Sequence, residues 1–277
     1  MTARPSTFKE SLAGLSMLFF LRCIDLTAAL PLRFRYGITD ALSFAACALF
    51  YRKRRAVRSN LRYIFGRDPS LREIAAVFKE YGRYWAESVD PAGFLQSSKV
   101  MESGPDFPPA EPQFLGLTFH LGNFELFGPA FHPYLKNDFV VIAERLKPKA
   151  LADYFHARRA ASHFATLAHD NPQTIVRNLA GGAALGIVCD RSLDGKGVEA
   201  RLFNKRVRMP LSLVDYSLRH KVPIYVAYCV KEEHGLRIFC RRLDSSLDFD
   251  GIVSVIASIL EDAIRRYPFQ WHMMSAF

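Results

Sequence analysis

The front of this chain lacks the ~20 consecutive apolar residues that a membrane-spanning helix needs. Residues 11–32 are hydrophobic, but Arg22 and Asp25 interrupt them, and the uncharged run from Ser11 to Leu21 is 11 residues long. Lys9 and Glu10 precede that run and no small-residue cleavage site follows it, which argues against a secretory signal. Cysteine is sparse as well. Cys23, Cys47, Cys189, Cys229 and Cys240 form no CxxC pair and no regular spacing, so neither a zinc cluster nor a disulfide framework is expected. They read as reduced core residues of a chain in the cytoplasm or on its membrane face. No GxSxG elbow is present, which disfavours a serine hydrolase. His132, His156, His163, His169, His220, His234 and His272 lack the metalloprotease spacing, so no metal and no cofactor is expected. There is no internal repeat and no low-complexity tract, and no stacking motif accompanies the positive charge, which sets nucleic acid aside as a partner.

What the chain does have is positive charge and apolar bulk. Thirty-seven Lys and Arg against 27 Asp and Glu give a formal +10 over 277 residues, pointing to anionic partners: phospholipid or an acidic carrier protein. Half the residues are apolar, with 23 phenylalanines, enough for a large core and a membrane-facing surface besides. Residues 11–32 read as an amphipathic or re-entrant element. The apolar run Ala41 to Tyr51 is followed at once by Arg52, Lys53, Arg54 and Arg55, the pattern of an interfacial helix with a polybasic edge. Two helices joined by a turn are predicted across Gly66 and Pro69. Ser70 and Glu73 form a capping-box signature for the second.

The proline-rich connector Gly104 to Pro112 divides a helical, membrane-associating front (1–103) from a core (104–277). In the core, Phe114–Phe119 and Phe139–Ala143 read as strands, Lys149–Ala168 as a helix and Ala183–Cys189 as a buried strand. Leu211–His220 is helix-like, Pro223–Val230 and Leu236–Arg242 are strands, and Ile252–Arg266 closes the chain as a helix. The expected fold is α/β: a three-layer sandwich with a mixed central sheet flanked by helices. Ligands of such sheets sit beyond the carboxyl ends of strands, where both His120 and the pair Asp190 and Arg191 fall.

His120 and Glu125 are five positions apart, roughly 140° around a regular helix, so one helical face cannot carry both. A strand-to-helix corner permitted by Gly122, with a helix beginning near Asn123 and capped by it, brings Glu125 within reach of His120. A neutral imidazole, with an unperturbed pKa of about 6.5, then serves as a base and the carboxylate as its orienter. Arg201, Lys205, Arg206 and Arg208, four cations in eight residues, suit phosphate groups of a lipid or of a carrier's prosthetic arm; a solvated loop is the rival reading.

Two segments, HLGNFE at His120 to Glu125 and VCDRSLDGKGVEARLFNKRVRMP at Val188 to Pro210, together resemble the lysophospholipid acyltransferase superfamily. Within it the resemblance is to the lipid A acyltransferase branch and its phosphatidylinositol mannoside relatives. RRAVRSNLRYIFG at Arg54 to Gly66 is similar to that branch's front block and PFQWHMMSAF at Pro268 to Phe277 to its tail. Leu202, Phe203 and Asn204 stand where the branch has Phe-Phe-Gly, and Pro210, Leu211 and Ser212 where it has Pro-x-Gly. The resemblance implies acyl transfer from an acyl carrier protein or coenzyme A thioester to a hydroxyl of a glycolipid at the cytoplasmic face of the inner membrane, with peripheral or monotopic attachment. It implies His120 as general base, Glu125 as its orienter, and no covalent enzyme intermediate. Gly122, Asn123, Asp190 and Arg191 fall in the expected substrate-binding set, with Arg191 facing the oxyanion or else paired with Asp190 or Asp194. An inactive scaffold on the membrane is the reading from another class.

Overall fold

The computed structural model describes residues 8–103, 106–136, 139–192 and 195–277. Helical periodicity in the front segment becomes α1 (Phe8–Asp25), α2 (Leu32–Leu49), α3 (Tyr51–Phe65), α4 (Leu71–Glu87) and α5 (Pro91–Ser97). Gly66 ends α3 in the left-handed conformation. The Ser70 hydroxyl accepts from the Glu73 amide at 3.3 Å while Glu73 accepts from the Ser70 amide at 2.7 Å, the reciprocal cap expected for α4. The two charges that interrupt the first apolar run are used differently. Asp25 accepts from Tyr154 Oη at 2.9 Å and pairs with Arg158 at 2.5 Å, tethering α1 to the core, whereas Arg22 stays largely exposed beside it.

The core continues as β1 (Val100–Ser103), β2 (Phe114–Thr118), α6 (Phe127–Phe131), β3 (Phe139–Ala143), α7 (Lys149–Ala161), β4 (Phe164–Ala168), α8 (Pro172–Ala180) and β5 (Ala184–Val188). It then runs through β6 (Val198–Leu202), β7 (Lys205–Met209), α9 (Ser212–Arg219), β8 (Ile224–Glu232), β9 (Gly235–Arg242) and α10 (Phe249–Arg266). Seven strands form one sheet in the order β1-β9-β8-β2-β5-β3-β4; only the β8–β9 hairpin is antiparallel, so the sheet is mixed. β1 ends at the expected division after residue 103, so the front segment supplies an edge strand; Gly104 and Pro105 of the connector lie outside the described residues.

Two readings of the core change. The predicted helix Lys149–Ala168 stops at Ala161, because His163 takes a positive φ of 62° and Phe164, 4% exposed, enters the core as the first residue of β4. The segment carrying the four cations, for which a solvated loop is the rival reading, is a hairpin, β6 and β7 paired in register from Val198↔Met209 to Leu202↔Lys205.

Alternation along β2 separates two apolar cores. Leu115, Leu117 and Phe119 pack with α3, α4, α8, α9 and α10. The opposite face carries a phenylalanine-rich cluster of Phe94, Phe114, Phe127, Phe131, Phe139 and Phe164 against α5 and α6. Helices thus cover both faces of the sheet. The cysteines are free; Cys47, Cys189, Cys229 and Cys240 are buried and Cys23 is exposed.

Candidate functional site

Strand register builds the centre of the site. β2 and β5 are parallel neighbours with Thr118 opposite Val188, so two residues beyond each strand His120 and Asp190 again stand opposite one another. The His120 amide donates to Asp190 Oδ2 at 3.1 Å, and His120 Nδ1 lies 2.7 Å from Asp190 Oδ1. A third donor, the indole Nε1–H of Trp271, reaches Asp190 Oδ2 at 2.9 Å. Burial alone would push the Asp190 carboxyl up, but the charge of His120 and these hydrogen bonds outweigh it and hold the pKa below the usual range. An ionised carboxylate only accepts, so the imidazole proton sits on Nδ1 and Nε2 carries the lone pair.

Glu125 has another partner. Phe124–Leu126 is a turn of 3₁₀ helix rather than the first turn of an α-helix, and from it Glu125 meets Arg159 of α7. The guanidinium reaches the two carboxylate oxygens at 2.9 and 3.4 Å, in a pair whose side chains are 18% and 11% exposed. The carboxylate that meets the His120 imidazole is therefore Asp190 and not the Glu125 expected from spacing, and the partner of Glu125 is an arginine of the helix predicted over Lys149–Ala168. Phe203 and Asn204 both take positive φ, 50° and 62°, and serve as the turn of the β6–β7 hairpin.

The turn after His120 is held from several sides. Leu121 bridges Trp271, the Gly122 amide donates to Gln270 O at 2.8 Å, and the Asn123 amide donates to Cys229 O at 2.8 Å. Gly122 has φ +64°, and a Cβ there would lie 1.8 Å from the Cys229 oxygen. Asn123 makes no side-chain cap; its Nδ2 donates to the buried Glu87 of α4 at 3.0 Å. Glu87 in turn pairs with Lys231 at 2.7 Å and accepts from Tyr36 Oη at 2.8 Å. His272, assigned no role from spacing, is buried at the same turn and its Nε2–H donates to Gly122 O at 3.0 Å. Burial, then the nearby Lys231 charge, pushes its pKa down to about 3, so it stays neutral.

A cavity of about 470 Å³ opens on His120. His120, Glu125, Arg159 and Arg191 line it together with Gly116, Phe131, Phe139, Val141, Phe164 and Gly186. Phe139 is level with the start of β2 and β5, six residues before His120, which is on the order of 20 Å along a strand. The cavity is thus polar at the carboxyl end of the sheet and apolar further back. Gly116 and Gly186 leave its sheet wall low: a Cβ on Gly116 would meet the Phe139 ring at 3.4 Å, and one on Gly186 at 2.7 Å.

Arg191 lines the cavity at the His120 end. Among the described residues its ion pair is with Glu144 at 3.7 Å; Asp190 is held by His120 and Trp271, and Asp194 lies outside the described residues. Its Nε is buried with no hydrogen-bond partner among the described residues. Arg201, Lys205, Arg206 and Arg208 are not among the cavity residues. They sit on the β6–β7 hairpin, where Arg206 is 3.8 Å from Glu199, Arg208 donates to Gly197 O at 3.2 Å, and Lys205 lies between the rings of Tyr63 and Phe277. Among the described residues no three His, Cys, Asp or Glu side chains converge as metal ligands.

The family described as bacterial lipid A biosynthesis acyltransferase matches residues 107–276. The phosphatidylinositol mannoside acyltransferase of Mycolicibacterium smegmatis is 24% identical over 242 residues, covering 79% of this chain and 77% of that protein. The protein of the same name from Mycobacterium tuberculosis is 24% identical over 237 residues, with 79% and 75% covered. A solved structure, the 1-acyl-sn-glycerophosphate acyltransferase PlsC from Thermotoga maritima, aligns over 87% of this chain and 99% of its own at 16% identity and a TM-score of 0.41.

Proposed function

The chain belongs to the bacterial lipid A biosynthesis acyltransferase family and is an O-acyltransferase, and from this premise we propose that it acylates a hydroxyl of a membrane glycolipid. The donor is an acyl carrier protein or coenzyme A thioester. The acceptor we favour is a lipid A type precursor; the name carried by the mycobacterial relatives supports phosphatidylinositol mannoside as the second candidate. The observation that carries the proposal is the His120–Asp190 pair opening onto a cavity whose inner end is apolar.

In this mechanism His120 Nε2 removes the proton from the acceptor hydroxyl as its oxygen attacks the thioester carbonyl carbon. Asp190 holds the imidazole in the Nδ1–H tautomer and offsets the positive charge that forms on it. The negative charge growing on the carbonyl oxygen faces the Arg191 guanidinium at the cavity wall. Collapse of the tetrahedral intermediate breaks the carbon–sulfur bond, and the departing sulfur takes the proton back from Nε2. Glu125 acts on Arg159, keeping that cation oriented at the cavity wall where a phosphate of either substrate can meet it. Gly122 and Asn123 set the turn. The hairpin cations bind anionic groups outside the cavity.

The acyl chain lies in the apolar end, against Gly116 and Gly186. Incubating the protein with thioesters of graded chain length and a membrane lipid extract, and weighing the products by mass spectrometry, tests the whole reading. Transfer to no lipid from any donor would leave the inactive scaffold. Gly116→Leu fills the space before Phe139 and is expected to move the preferred donor to shorter chains, by roughly ten-fold in kcat/KM for each methylene displaced. Unchanged chain preference would place the acyl group elsewhere.

The front helices support a reading in which the protein associates with the membrane surface. No described helix is long and apolar enough to cross a membrane. Yet Phe19 on α1 and Phe34, Ile38, Leu42, Phe44 and Leu49 on α2 are exposed, Phe19 and Phe44 each by 73%, and Arg52 to Arg55 follow directly. Met17 of α1 and Lys53 of α3 line the cavity, so it adjoins this surface. We place the protein peripherally on the cytoplasmic face of the inner membrane. Sedimentation with anionic vesicles is expected to weaken about ten-fold or more for Phe44→Asp, the worth of one buried phenylalanine, and to fall with salt. Equal binding by that variant would remove α2 from the membrane contact.

A further inference from the structure

Trp271 stands behind the reacting groups, not among them. It is 2% exposed, is absent from the cavity lining, and packs edge-on against Phe277 at 5.1 Å between centroids. Its Nε1–H has one acceptor in the structure, Asp190 Oδ2 at 2.9 Å, while Oδ1 of the same carboxylate takes the His120 Nδ1–H at 2.7 Å. Oδ2 also accepts from the His120 amide at 3.1 Å, so three donors hold the two oxygens and fix the rotation of the carboxylate about its Cβ–Cγ bond, the indole being the one that comes from outside the histidine itself. The backbone on either side of Trp271 is bonded to the histidine turn: Gln270 O accepts from the Gly122 amide at 2.8 Å and the His272 amide donates to His120 O at 2.7 Å. A segment some 150 residues downstream of His120 therefore holds both members of the pair, one through the backbone and one through the indole.

We propose that Trp271 is a positioning residue for acyl transfer, holding the Asp190 carboxylate in the orientation from which it fixes and charges the His120 imidazole. The inference rests on the reading of His120 as the base. It assigns the tail segment a part in the chemistry that acts wholly through Asp190.

Removing the indole donor leaves Oδ2 with the His120 amide alone and loosens the carboxylate about its Cβ–Cγ bond. The other groups around the pair do not supply a replacement donor. From β8, Lys231 is bound by Glu80 and Glu87 of α4 at 2.7 Å each. From the tail, His272 is neutral with its Nε2–H given to Gly122 O. Cys189, next in chain, is a thiol whose pKa burial and then Asp190 push well up. Arg191 turns to Glu144, Arg159 of α7 to Glu125, and burial pushes the Tyr81 hydroxyl of α4 up so that it remains neutral.

The test is Trp271→Phe, which keeps a ring against Phe277 and lacks the N–H. It is combined with Asp190→Asn in a double-mutant cycle and with NMR observation of the His120 Nδ1–H proton. We expect kcat to fall roughly ten- to hundred-fold, the worth of a hydrogen bond to a charged group, with KM within about two-fold of the parent. The His120 Nδ1–H resonance is expected to shift, because the oxygen it meets belongs to a carboxylate no longer held by the indole. In the Asp190→Asn background Trp271→Phe should cost only about a few-fold, because its acceptor has lost its charge. A full extra loss of kcat in that background, or an unchanged resonance, overturns the inference and leaves Trp271 a packing residue. Should the parent protein acylate nothing, the acyl-transfer reading fails on its own, and the resonance still decides whether Trp271 holds the pair.

Discussion

His120→Ala is expected to lower acyl transfer by about 10²–10⁴-fold while leaving the protein folded. The loss is that of a positioned base: without Nε2 the acceptor hydroxyl must give its proton to water during attack, and nothing returns a proton to the departing sulfur. His120 is 27% exposed at its side chain and its ring sits at the cavity, so alanine opens the cavity slightly and empties no core. The change should fall on kcat, because the imidazole interacts with the reacting hydrogen and not with the bulk of either substrate. Steady-state rates with a thioester donor and a lipid acceptor, beside a thermal melt, measure both halves. A variant that retains more than about a tenth of parental kcat would remove His120 from the chemistry. Asp190→Asn tests the partner: an asparagine can offer Nδ2–H toward His120 and favour the wrong tautomer, so a loss of similar order is expected, whereas Glu125→Gln should leave the tautomer untouched and act only through Arg159.

Gly122→Ala is expected to cost about 3–5 kcal/mol of stability and to lower the melting temperature by roughly 10 °C. Two terms add. An L-residue at φ +64° is disfavoured by about 1–2 kcal/mol, and the new Cβ would sit 1.8 Å from the Cys229 carbonyl oxygen and 3.0 Å from Val230 Cα. Those atoms belong to β8 in the middle of the sheet, so neither can move aside alone. Relief must come from the turn itself, which would break the Asn123–Cys229 and Gly122–Gln270 hydrogen bonds and displace His120 with them. Activity should therefore fall together with stability, unlike His120→Ala. Calorimetry of the two variants side by side separates the cases; an unchanged melt for Gly122→Ala would contradict the close approach to β8.

Much of the candidate site was legible from the residue order. The apolar run before His120, the abrupt change to polar residues and the glycine after it announced a strand ending in a turn, and the run ending at Asp190 announced a second. What spacing could not say was which carboxylate the imidazole would meet. Glu125 is five residues away along the chain and Asp190 seventy, and chain distance favoured the nearer one. Strand pairing decided otherwise, because β2 and β5 lie side by side in a register offset by seventy residues. Arg159, Trp271 and His272 stayed hidden for the same reason: each reaches the site from an element whose sequence reads as an ordinary helix face or tail. A fully buried strand such as β8 could be found by its apolar run, but the break of α7 at His163 could not, since helix and strand periodicities merge over so short a stretch.

The sequence by itself determined the class of the fold, the charge and apolar surface that suit a lipid partner, the family, and the two strand ends from which chemistry could come. These are properties of composition and of local period, and they survive without knowledge of neighbours. Only the tertiary structure decided that His120 is held by Asp190 and Asp190 by Trp271, that Glu125 serves Arg159, and that the hairpin cations lie outside the cavity. A hydrogen bond is settled within about 3 Å by direction as well as distance. Direction at that scale is set by strand register and by the packing of distant segments, which the order of residues along the chain does not express.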